Sequence, residues 1–160
     1  MRFSLLDTID EFVADERLVG HKRVASDEDY LRDHFPEFPV LPGVFMLEAA
    51  TQASAWLLRL SEGYAHSVVS LKEAKNVKYA DFVRPGATLT VEVELLKRDD
   101  RLATFKATGR VDDRTSLTGK LILERYNLAD DDPEQADVDA HVIRYLRQRE
   151  PELMPTEATA

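Results

Sequence analysis

The stretch HFPEFPVLPGVFMLEAATQ, His34 to Gln52, decides how the rest of the chain is read. Pro36, Pro39 and Pro42 recur every three residues. Each fixes its own φ near about −65°, so the first half is a stiff, extended segment on which a side chain is held in place. Pro42 suits a helix start, because the N–H it lacks is one that a first turn leaves unpaired anyway. The helix that follows, about Gly43 to Leu60, carries apolar residues on every side, from Val44, Phe45 and Met46 to Trp56 and Leu57. Such a helix is expected to be buried. Glu48 and Gln52 in its middle argue against a membrane span.

Upstream, Leu5 to Val13 and Leu18 to Ala25 read as two short strands around the polar break at residues 14–17. Ser26, followed by Asp27, Glu28 and Asp29, reads as the start of a short helix running to about Asp33. Downstream of Gly63 the pattern turns to β: Val68 to Leu71, Asn76 to Tyr79, Thr88 to Leu96, Ala103 to Val111 and Ser116 to Tyr126. Lys97 to Arg101 and Asp112 to Arg114 suit hairpin turns, and Arg84-Pro85-Gly86 suits a turn between strands. Two strands, one buried helix and a run of hairpin-linked strands make an α+β domain, an antiparallel sheet packed on its helix.

The 160 residues suit one domain with a tail, and 44% hydrophobic against 32% charged residues is the balance of a globular chain. The division expected is 1–129 for the domain and 130–160 for an acidic linker and a helical tail. In that tail Val138, Val142, Tyr145 and Leu146 share one helix face, and Pro151 is expected to end the helix. Nine acids and three arginines from Asp130 onward account for −6 of the net charge of −9, leaving −3 on the first 129 residues. That balance excludes duplex nucleic acid as a partner, which needs a clustered positive surface. There is no cysteine, which removes disulfides, thiolate metal sites and cysteine nucleophiles. MRFSLLDTIDEF has acids from Asp7 onward and no long apolar run, so no cleaved signal is expected and the location reads as cytoplasmic.

A carboxylate amid an apolar helix needs an explanation, since burying an unpartnered charge is costly. The bland explanation is that Glu48 reaches the surface or is held by Gln52 one turn on. The setting supplies a second. N–H groups near Gly43 and Val44 make an electropositive helix end, suited to a carbonyl oxygen gaining negative charge. His34 on the stiff segment titrates near neutral pH and can accept a proton. A base, an acid and an oxyanion donor are the parts that β-elimination beside a thioester requires. An apolar surrounding would raise the acid's pKa.

The same stretch resembles the active-site motif of the β-hydroxyacyl-acyl carrier protein dehydratases. His34, Phe35, Pro36, Pro39, Pro42, Gly43, Val44, Glu48, Ala49 and Gln52 stand in register with it. Weaker similarity runs from about Leu5 to Tyr126 and includes Phe82-Val83-Arg84-Pro85-Gly86. The resemblance implies a hot-dog fold, a long central helix wrapped by an antiparallel sheet, and dehydration of (3R)-hydroxyacyl thioesters to trans-2-enoyl thioesters in fatty acid biosynthesis. It implies His34 as base and Glu48 as acid, Gly43 N–H on the thioester carbonyl, the Val40 carbonyl orienting the imidazole, and Gln52 holding Glu48. It also implies a homodimer in which His34 of one subunit faces Glu48 of the other, with a trimer of dimers left open. Glu at the acid position is similar to the branch that does not isomerise the new double bond. Asp33, where the family usually has glycine, and the acidic extension depart from the pattern.

An acyl carrier protein is itself acidic, so a local basic patch is expected to receive it, with Lys78, Arg84, Lys97, Arg98 and Arg101 as candidates; each taken singly reads equally as a solvated surface charge. His21, His66 and His141 lack paired-ligand spacing, so no metal is expected. Ser54 and Ser70 lack a nucleophile-elbow context, and no glycine-rich phosphate loop or dinucleotide fingerprint is present, so no cofactor is expected. Two rivals remain: a thioesterase of the same fold, and a non-catalytic acyl-binding subunit.

Overall fold

The computed structural model describes residues 3–34 and 37–155. Phe35 and Pro36 of the motif, and residues 156–160 of the tail, lie outside the described residues. The chain runs β1 (Thr8–Val13), β2 (Arg17–Arg23), α1 (Tyr30–Asp33), α2 (Gly43–Ser61), β3 (Val68–Tyr79), β4 (Thr88–Arg98), β5 (Leu102–Val111) and β6 (Arg114–Tyr126). Two 3₁₀ turns, Leu128–Asp130 and Pro133–Gln135, lead into α3 (Ala136–Leu153). The strands form one six-stranded sheet in the order β1-β2-β4-β5-β6-β3, and every pairing is antiparallel.

Alternation sets the inner face of the sheet. In β4, Leu89, Val91 and Val93 are fully buried, while Glu92 and Glu94 between and after them point away. Phe105, Leu121 and Leu123 continue that face, and α2 packs on it through Ala49, Ala50, Ala53 and Leu57. Three alanines at the contact let the helix axis approach the sheet closely. Phe105 is among the largest fully buried side chains, so its truncation to alanine would cost about 3–5 kcal/mol.

The α+β architecture expected from the sequence is the one observed, and four local expectations need correction. The helix expected from Ser26 starts only at Tyr30. Glu28 is drawn back instead, its carboxylate accepting from Ala25 N at 3.2 Å and from Lys22 Nζ at 2.8 Å, which keeps residues 25–28 in a turn. Val68 to Leu71 and Asn76 to Tyr79 belong to one strand. The β6 ladder carries it across two register shifts, Leu71/Glu73 and Lys75/Lys78, with Asn76 at φ +53°.

The other two corrections concern the tail. Val138 and Tyr145 of α3 face solvent, and the inward face is Asp139, Ile143, Leu146, Glu150 and Leu153. Hydrogen bonds set that rotation. Buried Asp139 accepts from Ser67 Oγ and from Leu128 N and Ala129 N, both at 2.9 Å, and Tyr64 OH donates to Glu150 at 2.5 Å. Nor does Pro151 end the helix. It sits in the last turn and α3 continues to Leu153, which is buried in the core. Among the described residues no helix is long and apolar enough to cross a membrane.

Candidate active site

The segment before α2 is fixed at both ends. His34 caps α1, its N–H donating to Tyr30 O at 3.2 Å, and Leu41 N donates to Val83 O at 2.8 Å, tying the segment to the turn ahead of β4. Val40 and Leu41 are buried. His34 Nδ1 lies 3.3 Å from the Val40 carbonyl. A carbonyl only accepts, so in this contact Nδ1 carries the hydrogen and the neutral ring keeps its lone pair on Nε2.

Pro42 is the N-cap of α2, at φ −54°, and the first intrahelical bonds run from Phe45 N and Met46 N to its carbonyl. The N–H groups of Gly43 and Val44 lie ahead of those bonds, where the helix itself does not use them. Glycine at 43 leaves room for the Tyr79 ring, which a Cβ there would meet at 3.1 Å and push aside. A cleft of about 270 Å³ opens at this point, lined by His34, Val40, Gly43, Met46, Tyr79 and Phe82 among others. At its edge the Phe38 and Phe82 rings meet edge to face at 5.5 Å, and the Arg84 guanidinium lies 5.0 Å over Phe38.

Three expected residues, His34, Val40 and Gly43, therefore share one cleft. Glu48 and Gln52 are not among the described residues that line it. The expectation of an interior carboxylate is also corrected, since Glu48 is exposed, one turn from Val44, which is 63% exposed. The reason is helical period. Met46, Ala49, Ala50 and Ala53 take the sheet side, which turns 44 and 48 outward despite their apolar neighbours. Gln52 Nε2 donates to Glu48 Oε1 at 3.1 Å.

The five docking candidates do not form one patch within the chain. Arg84 and Lys78 lie at the cleft end. Lys78 pairs with Thr118 of β6, whereas Leu102, at the foot of the Lys97–Arg101 turn, pairs with Glu124, six residues and so about 20 Å along the strand. At that far end Arg98 bonds Asp15 at 2.7 Å and Arg101 bonds Glu124 at 2.6 Å. Among the described residues no group of three or more His, Asp or Glu could hold a metal ion. Sequence reasoning missed Met46 and Tyr79 as lining. Tyr79 reaches the cleft because β3 pairs with β6, a contact between distant segments that leaves no local signal.

Residues 1–120 match the family model described as a FabA-like domain. The chain is 34% identical over 116 residues to a 3-hydroxyacyl-[acyl-carrier-protein] dehydratase FabZ of Lactiplantibacillus plantarum, covering 72% of this chain and 79% of the relative. It is 36% identical over 117 residues to the protein of that name from Latilactobacillus sakei, covering 73% and 84%. Among solved structures it resembles the dehydratase heterocomplex ApeI:P of Xenorhabdus doucetiae, with a TM-score of 0.67 at 19% identity over 79% of this chain and 86% of that one. It also resembles a hypothetical thioesterase of Streptococcus pneumoniae solved with coenzyme A, with a TM-score of 0.56 at 13% identity over 73% and 83%. These two likenesses give the hot-dog fold, which both chemistries use, and the choice between them rests on the site.

Proposed function

The chain belongs to the FabA-like domain family, that of the 3-hydroxyacyl-[acyl-carrier-protein] dehydratases, and from that premise we propose that it dehydrates (3R)-hydroxyacyl thioesters, delivered on an acyl carrier protein, to trans-2-enoyl thioesters in fatty acid biosynthesis. The observation that carries this reading is the cleft itself, where His34 stands beside the Gly43 end of α2 with its Nδ1 engaged by Val40.

The residues divide the work as follows. His34 Nε2 takes the proton from the carbon beside the thioester carbonyl. The electron pair develops on the carbonyl oxygen, which the Gly43 N–H and the positive end of α2 stabilise. The pair then returns to form the carbon–carbon double bond as the C–O bond at the β-carbon breaks. Glu48 gives its proton to the departing hydroxyl, which leaves as water. The reaction is redox-neutral and its atoms balance without a co-reactant.

Glu48 faces outward from its own chain, so the acid that completes the cleft comes from a second copy, and the working unit is a homodimer at least. Two features support this. Strand β3 is twelve residues long and, among the described residues, has only β6 beside it, which leaves one edge of backbone donors and acceptors to pair. Exposed Val44 adjoins Glu48 on the same helix face. Residues 1–129 form the catalytic domain, residues 130–160 an appendage to it, and the protein works in the cytoplasm. Lys78 and Arg84, at the cleft, are the stronger candidates to meet the carrier.

The test incubates the purified protein with a 3-hydroxyacyl thioester and follows enoyl formation and free thiol release together. Enoyl product that disappears in both His34→Ala and Glu48→Gln is expected. Thiol release without enoyl product would replace this reading with a thioesterase, and neither product over several acyl lengths would replace it with a binding subunit.

A further inference from the structure

Gln52 lies between Glu48 and the beginning of the chain, and the polarity of its neighbours dictates how its amide lies. Leu5 N–H, which can only donate, reaches Gln52 Oε1 at 2.8 Å. The Phe3 carbonyl, which can only accept, takes a hydrogen bond from Nε2 at 2.6 Å. Only one of the two flip states of the amide satisfies both groups. In that state the second hydrogen of Nε2 points to Glu48 Oε1, 3.1 Å away. Oε1 is thereby an acceptor, and Oε2 is the oxygen left to carry a proton.

The segment that sets the flip is itself gripped. Leu5 and Leu6 are both buried at 3% exposure, and Ser4 Oγ donates to Leu6 O at 3.1 Å. Tyr145, Leu146 and Arg149 of α3 line one groove together with Phe3, Ser4 and Gln52. Leu153, at the end of α3, joins Leu5 and Leu6 in the core. Helix α3 lies beyond residues 1–120, the part matched by the family model.

We infer that residues 3–6, anchored in the core through Leu5 and Leu6 beside Leu153 at the end of α3, are a positioning strap that fixes the Gln52 amide and so directs the proton of Glu48 to Oε2, the oxygen that serves the departing hydroxyl. The inference rests on the dehydratase reading above, with Glu48 as acid. A released amide can rotate and present its own oxygen to Glu48, which moves the proton to the wrong side of the carboxyl. Substrate binding is untouched by that rotation, so the defect belongs in kcat.

The test compares a chain beginning at Leu6, lacking residues 1–5 and with them both groups that set the flip, with full-length Gln52→Glu, which keeps an acceptor for Leu5 N–H but offers no donor to Glu48. With a 3-hydroxyacyl thioester as substrate, kcat is expected to fall about tenfold in both while KM stays within about twofold. In ¹⁵N-labelled protein, the side-chain amide resonances of Gln52, identified by their absence in Gln52→Glu, are expected to shift in the shortened chain. A folded shortened chain with unchanged kcat overturns the inference. So does a loss in which kcat and melting temperature fall while KM rises, since that is a structural role. Should the shortened chain not fold, Gln52→Glu decides alone, and unchanged kcat again overturns it. Glu48→Gln separates the two levels: full activity there removes Glu48 as the acid on which the strap rests, whereas loss there with intact strap variants removes only the strap.

Discussion

The two ends of α2 are built on opposite plans. At its C-terminal end Glu62 caps the helix and its carboxylate holds buried Arg125, with Nε 2.7 Å from Oε1, while Arg98 stands at 3.9 Å and His66 at 3.7 Å. Arg125 Nη2 donates onward to the Asp99 carbonyl at 2.6 Å, closing the β4–β5 turn onto the helix. At the N-terminal end the helix leaves its first N–H groups unused, a cleft opens and Val44 is exposed. Polar cross-links thus concentrate where no chemistry is proposed. Donors and space are kept where a substrate must enter, which is how a rigid element can carry a reactive end.

The largest effect expected is at the open end. His34→Ala and Glu48→Gln should each lower kcat by about 10²- to 10⁴-fold, the usual contribution of general acid or base catalysis. Their melting temperatures should stay near that of the parent protein, because neither side chain is buried. A large loss of stability in both would erase the contrast between the ends.

The closed end should answer in the opposite way. Glu62→Ala leaves Arg125, 5% exposed, without its carboxylate, and removing one partner of a buried pair costs about 3–5 kcal/mol. Urea unfolding measures that loss. Below the unfolding transition, kcat should remain within about twofold of the parent, and a larger drop would mean that the two ends are coupled.

Asp139 gives a pH-dependent version of the same contrast. Burial favours its protonated form, but donation from Ser67 and from Ala129 and Leu128 N–H outweighs that and holds its pKa below the usual carboxylate value. A group lowered in the folded state contributes stability above its unfolded pKa, about 3.9, and loses it as pH falls through the lower folded value. Asp139→Asn should therefore lower the melting temperature at pH 7, with the difference from the parent closing toward pH 3. A difference that does not depend on pH would point to shape rather than charge.

The smallest effect sharpens the open end. In Gly43→Ala the new methyl meets the Tyr79 ring at 3.1 Å. Because that ring is half exposed at a strand end it can give way into the cleft, and kcat/KM should fall about tenfold with stability changed by about 1 kcal/mol. Tyr79→Ala in the same chain should recover part of the activity. No recovery would mean that the methyl acts on the N–H geometry and not through the ring.

Much of this was legible in one dimension. Helix α2 was readable to within a residue because its start is marked by Pro42 and its length by an unbroken apolar run. β4, β5 and β6 were readable because alternation and short polar turns are local signals. The face of α3 was not. Its hydrophobic stripe pointed to Val138 and Tyr145, yet Asp139 turns inward, because Ser67 and the Leu128 turn offer it three donors. Pattern arguments weigh apolar area and cannot see a hydrogen-bonding partner seventy-two positions away.

The sequence by itself determined the kind of fold and the set of reactive groups, since proline spacing, apolar period and residue type are properties of short segments. Tertiary structure decided which of those groups meet. It brought His34, Val40 and Gly43 to one cleft with Tyr79, turned Glu48 out to the surface, and laid residues 3–6 on Gln52. It also divided the basic candidates between two ends of the sheet. Those outcomes depend on register and on which side of a helix faces the sheet, and both are settled only when distant segments pack together.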